Sequence, residues 1–92
     1  MSILARFAPA SSATTDMYDD TIARLEAQGD FPPDGLELHV AFTADGNLRV
    51  SEIWDSREQF EAFGQRLMPI LAEVGIEPGQ PEFFEVHNVI KR

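Results

Sequence analysis

The sequence predicts a small α+β domain with its elements in the order β-α-β-β-α-β. Three observations carry this. Two segments repeat apolar residues at helical spacing, four others read as strands, and glycine or proline clusters punctuate the junctions. The 92 residues contain no linker, repeat or low-complexity stretch, so one domain spanning 1–92 is expected.

Residues 2–8 make the first strand, which Pro9 ends. The small polar stretch from Ala10 to Thr15 suits a turn and a helix cap. Tyr18, Thr21, Ile22 and Leu25 then fall at i, i+3, i+4 and i+7, one face of a helix. Asp16, Asp19 and Asp20 crowd its first turns, where the positive end of the helix dipole favours acids. Gly29 follows as a stop, and Pro32-Pro33-Asp34-Gly35 is a turn.

Residues 36–42 alternate largely with the strand period, and Asp45-Gly46-Asn47 supplies hairpin chemistry. A third strand runs from Leu48 to Trp54. Asp55 or Ser56 caps the next helix, with Glu58 or Gln59 as capping-box partner. Phe60, Phe63, Gly64, Leu67, Leu71 and Val74 form its apolar stripe, and Gly75 closes it. Pro69 predicts a kink or break near Leu67. Pro78-Gly79-Gln80-Pro81 is a rigid turn before a last strand from Phe83 to Ile90. This is the ferredoxin-like βαββαβ order. Right-handed crossovers interlock the two halves into a four-stranded antiparallel sheet of order 4-1-3-2, with both helices on one face.

Alternation sorts the strand residues into two faces. Ile3, Ala5, Phe7, Leu36, Leu38, Val40, Phe42, Leu48, Val50, Trp54, Phe84, Val86 and Ile90 form the apolar set, expected beneath the helices. Leu4, Arg6, Glu37, His39, Ala41, Arg49, Ser51, Ile53, Phe83, Glu85, His87 and Val89 form the other set, which mixes charges with large apolar groups. Such a face suits a second copy, so a homodimer through the open sheet is expected. A small domain with no cysteine and hence no disulfide gains stability in the same way.

Two residues interrupt the apolar set. Glu52 lies between Val50 and Trp54, and Asn88 between Val86 and Ile90. A carboxylate in an apolar face is costly unless paired or near water. Glu52 therefore either lines a cavity, with its proton affinity tuned for transfer, or reaches solvent at the strand's end. His39 and His87 fall on the mixed face at opposite sheet edges, too far apart for one metal site within a subunit.

The net charge of −9 repels phosphate backbones and anionic membranes, so neither nucleic acid nor membrane is an expected partner. No secretory leader or spanning segment is apparent, and a cytoplasmic location is expected. No phosphate-binding glycine loop, nucleophile elbow, zinc helix or calcium loop occurs, so no metal or cofactor is expected.

The segment Glu52-Ile53-Trp54-Asp55-Ser56, leading into Glu58-Gln59-Phe60-Glu61-Ala62-Phe63, together with the element order and size, resembles the dimeric α+β barrel superfamily. Within it the likeness is to small antibiotic-biosynthesis-monooxygenase (ABM)-like proteins. The resemblance implies a dimer whose two sheets form a barrel, each subunit holding an apolar pocket between sheet and helices. Members include cofactor-free monooxygenases of polyketide-like phenols, haem-degrading enzymes and isomerases. The haem-degrading branch uses an asparagine where this first strand has Arg6 and Phe7, and neither histidine lies on a helix, which argues against that activity.

The function expected is small-molecule binding by a dimer, with cofactor-free oxygenation or isomerisation of an aromatic or enol substrate. Phe7, Tyr18, Phe42, Trp54, Phe60, Phe63 and Leu67 would line the pocket. Glu52 would be the general base and Asn88 would orient the substrate oxygen. The alternative is a non-enzymatic dimerisation or ligand-sensing module with a filled core.

Overall fold

A computed structural model describes residues 2–92. The elements are β1 (Ile3–Phe7), α1 (Thr15–Ala27), β2 (Leu36–Ala44), β3 (Asn47–Trp54), α2 (Arg57–Val74) and β4 (Glu82–Glu85). All strand pairs are antiparallel, in the order β2-β3-β1-β4. That is the expected ferredoxin-like order, 4-1-3-2, read from the other edge.

Local chemistry sets the helix ends. Thr14 accepts a hydrogen bond from the Met17 N–H, 3.1 Å away, and so caps α1. Ser56 caps α2 by accepting from the Gln59 N–H at 3.2 Å, and its hydroxyl donates to Gln59 Oε1. Gly75 ends α2 at φ 95°, a left-handed conformation that costs a side-chain-bearing residue more. α2 runs unbroken through Pro69, contrary to one of the two outcomes expected there. Pro69 has no N–H to donate to the Gln65 carbonyl, and both residues lie on the exposed side of the helix.

The core gathers on the helix-covered face. Trp54 is fully buried, with Ala5, Leu25, Phe63 and Ile70 around it. Phe60 stands edge-on to both Trp54 and Phe83, at centroid distances of 5.7 and 5.2 Å. A second cluster of Ala13, Leu48, Leu71 and Ile76 closes the far end.

Three expectations are corrected. The β2–β3 register shifts between Leu36 and Leu38. This bulge inverts the strand's later alternation, because one extra residue moves every following side chain to the opposite face. Leu36 packs on the core, but Leu38, Val40 and Phe42 lie on the open face, each more than two-fifths exposed. His39, paired with Glu52, turns inward. In β4, Phe83 pairs with Ala5 and faces the helices, whereas Phe84 pairs with Leu4 and is exposed. Finally, β4 stops at Glu85 rather than Ile90. Its neighbour β1 begins at Ile3, opposite Glu85, and the last rung is Val86 N–H to Ser2 O. No described helix is long and apolar enough to cross a membrane.

Candidate functional site

Four side chains from three elements form one hydrogen-bonded line inside the sheet–helix layer. Tyr18 comes from the second turn of α1, on the apolar stripe that ends in Leu25. His39 comes from β2, turned inward by the bulge. Glu52 and Trp54 come from β3 and share a face as alternate residues of one strand.

The Tyr18 hydroxyl lies 2.6 Å from His39 Nε2, and His39 Nδ1 lies 2.6 Å from Glu52 Oε2. The Trp54 indole N–H donates to Glu52 Oε1 at 3.1 Å. A carboxylate offers only lone pairs, so beside an ionised Glu52 the imidazole hydrogen belongs on Nδ1. Nε2 of that tautomer is an acceptor, and the Tyr18 hydroxyl donates to it. The hydroxyl oxygen then keeps its lone pairs for a ligand.

The His39 ring is fixed on two sides. Tyr18 stacks on it at 5.8 Å, and Phe31 meets it edge-on at 5.4 Å. Glu52 is 6% exposed, a burial that both of its oxygens offset by hydrogen bonding. Among the described residues no buried side-chain polar atom lacks a partner. Tyr18 holds its proton above the usual phenol range, first because it is partly buried, then because Glu52 and Asp19 place negative charge nearby.

These groups border a cavity of about 80 Å³ between the sheet and the helices. Tyr18, Thr21, His39 and Glu52 are the polar residues that line it. Phe7, Leu25, Phe31, Phe63, Leu67 and Leu71 supply apolar walls, and Pro9, Ile76 and Pro78 close one end. That end is made of two irregular segments tied by the Ala10 N–H to the Glu77 carbonyl at 3.0 Å.

Of the residues expected to line the pocket, Phe7, Tyr18, Phe63 and Leu67 do so, and Glu52 joins them. Trp54 and Phe60 stand behind the wall in the aromatic core, where Trp54 reaches the site only through Glu52. Phe42 lies on the opposite face of the sheet. Asn88 lies exposed beyond the end of β4, so it is not brought to Glu52. Strict alternation places His39 on the outer face, whereas the structure makes it the central group of the line. The polar pair His39–Glu52 across two neighbouring strands is the signal that points to it, given the bulge. Among the described residues no group of three or more histidine and acidic side chains is arranged to hold a metal ion.

No family model matches the chain, and none of the curated proteins matches it by sequence. Solved structures do match its fold. A protein from Deinococcus radiodurans, described as a candidate antibiotic biosynthesis monooxygenase, superposes with a TM-score of 0.62 at 17% identity. The match covers 100% of this chain and 98% of that one. SnoaB, a cofactor-independent oxygenase from Streptomyces nogalater, gives 0.61 at 14% identity over 99% of this chain and 96% of its own. Rv0793 from Mycobacterium tuberculosis gives 0.62 at 16% identity over 98% and 97%. The chain has the ABM-like, ferredoxin-like fold.

Proposed function

We propose that the protein is a cofactor-free enzyme that removes a proton from a small phenol or enol in the interior cavity, preparing it for oxygenation or isomerisation. The observation that carries this is the Tyr18–His39–Glu52 line ending at an apolar cavity. The substrate hydroxyl would donate to the Tyr18 oxygen. As Tyr18 accepts that proton, it passes its own to His39 Nε2, and Glu52 stabilises the imidazolium that forms. Glu52 is thus read as the group that orients and charges His39, rather than as the base that touches substrate. The fold it shares with a cofactor-independent oxygenase supports the class of reaction.

The cavity constrains the substrate. Its ~80 Å³ is about half the ~150 Å³ that holds benzene in an engineered apolar cavity. A single-ring substrate therefore enters only as the wall yields. The Pro9–Ala10 and Glu77–Pro78 segments, which close one end of the cavity, lie outside any helix or strand. The same small volume favours the second reading, a ligand-sensing module without turnover.

Oxygen uptake with a panel of single-ring hydroquinones and enols separates the two. The proposal expects uptake that needs no added metal or flavin, and a loss of at least a hundredfold in kcat on Glu52→Gln with the far-UV circular dichroism unchanged. Activity unaltered in that variant discards the relay. Ligand-dependent change in Trp54 fluorescence without uptake supports the sensing module.

We also propose that the protein is a homodimer through the open sheet face. Leu38, Val40, Phe42 and Phe84 make an apolar stripe there, each 43–46% exposed. Light scattering at micromolar concentration should give twice the mass of the chain. A monomer mass overturns the proposal.

A further inference from the structure

Phe31 lines the cavity but has no part in the hydrogen-bonded line. It sits in the segment between α1 and β2, outside any helix or strand. Its ring meets His39 edge-on at 5.4 Å and Phe63 at 6.2 Å, so it joins the polar end of the cavity to the apolar wall. His39 keeps 17% of its side chain exposed, so solvent reaches the imidazole at this end.

Most of the wall is carried by helices and strands. Only Pro9, Phe31, Ile76 and Pro78 of the lining residues lie outside them. Pro9 and Pro78 have side chains closed onto their own backbone, which cannot swing aside. Ile76 is buried in the second core cluster. Phe31 alone among the four combines a half-buried ring with free staggered positions about its first side-chain bond.

The backbone on either side of Phe31 is held. The Asp30 N–H donates to the Leu25 carbonyl at 2.9 Å, and the Asp30 carboxylate lies 3.3 Å from Arg66 Nε. Beyond it, the Leu36 N–H donates to the Pro33 carbonyl, and the Asp55 N–H donates to Gly35 O at 2.8 Å. The segment therefore stays in place while the ring turns. Phe31 lies on the helix-covered side, away from the sheet face proposed to meet a second copy.

We propose that Phe31 is the gate of the interior cavity and the residue that limits the size of the ligand it admits. This rests on the cavity being the ligand site proposed above. With the ring inward, ~80 Å³ is too little for a single aromatic ring, which needs about 150 Å³. With the ring turned to solvent, one ring's volume is vacated beside His39. A phenol entering there takes the place of the Phe31 ring against His39 and Phe63 and brings its hydroxyl to Tyr18. The gate thus fits one planar ring and excludes two.

The test is binding rather than turnover, measured on the full chain by ¹⁹F line shapes with para-fluorophenol and with the two-ring fluoronaphthol. The wild type should bind para-fluorophenol and not fluoronaphthol. Phe31→Ala should bind para-fluorophenol at least tenfold faster and more tightly, and should also admit fluoronaphthol. Phe31→Leu, which keeps an apolar side chain in place, should fall between the two and carries the test if circular dichroism shows Phe31→Ala unfolded. Equal association rates with an unchanged size limit overturn the gate alone. Weaker para-fluorophenol binding in both variants also overturns it, and makes Phe31 a fixed part of the binding wall. No para-fluorophenol binding by any of the three proteins overturns the gate together with the aromatic ligand. Binding with the expected rates but without oxygen uptake supports the gate and discards only the catalytic reading.

Discussion

In the proposed relay Tyr18 is the residue that meets the ligand, and it is open to direct measurement. It is the only tyrosine in the chain, so phenolate absorbance near 295 nm reports it alone. Burial first, then the charges of Glu52 and Asp19, hold its proton above the ordinary value of 10.0. A spectrophotometric titration of the folded protein should therefore give a midpoint above 10, shifting down in Glu52→Gln as one of the three causes is removed. A midpoint at the free-tyrosine value would contradict the burial of this hydroxyl. The folded state also binds this proton more tightly than the unfolded chain does. Its contribution to stability is full below pH 10 and falls away as the pH rises through the folded value. At the same scale, Glu52 was legible in sequence because a carboxylate between Val50 and Trp54 has no bland place in an apolar face. Its partner His39 was not legible, because nothing local marks the bulge that turns it inward.

At the scale of elements, β2 shows both the power and the limit of periodicity. Leu36, Leu38, Val40 and Phe42 alternate well, and that alternation identifies the strand. It does not identify the face. The register shift after Leu36 sends three of these four side chains outward. In β4 the adjacent Phe83 and Phe84 offered no alternation to read, and the pairing with Ala5 decided between them. The helices were read more securely, since a 3.6-residue stripe is anchored by caps such as Ser56 and stops such as Gly75. The inverted β2 strengthens the case for a dimer. The residues expected to fill the core are spent on the outer surface instead, where water alone would leave them costly. Val40→Lys, at the centre of the stripe and away from the cavity, should halve the mass seen by light scattering while leaving Trp54 fluorescence unchanged. Retention of the doubled mass would place the interface elsewhere.

At the scale of the whole molecule, the sheet separates two environments. The helix-covered side holds a largely apolar cavity with a polar line along one wall. The open side carries the apolar stripe. Element order and the β1 and β3 share of the helix-covered core followed from the sequence. The partition of β2 side chains between the two sides did not, because it depends on one bulge. In the proposed function the Tyr18–His39–Glu52 line moves a proton for a ligand in the cavity. Steady-state oxygen uptake by Tyr18→Phe tests it most directly, since the ring and its stacking on His39 remain and only the hydroxyl is lost. A proton relay through Tyr18 requires a fall in kcat of at least a hundredfold, with KM changed only a few-fold and the fold intact. A Tyr18→Phe enzyme that turns over at the wild-type rate would contradict it.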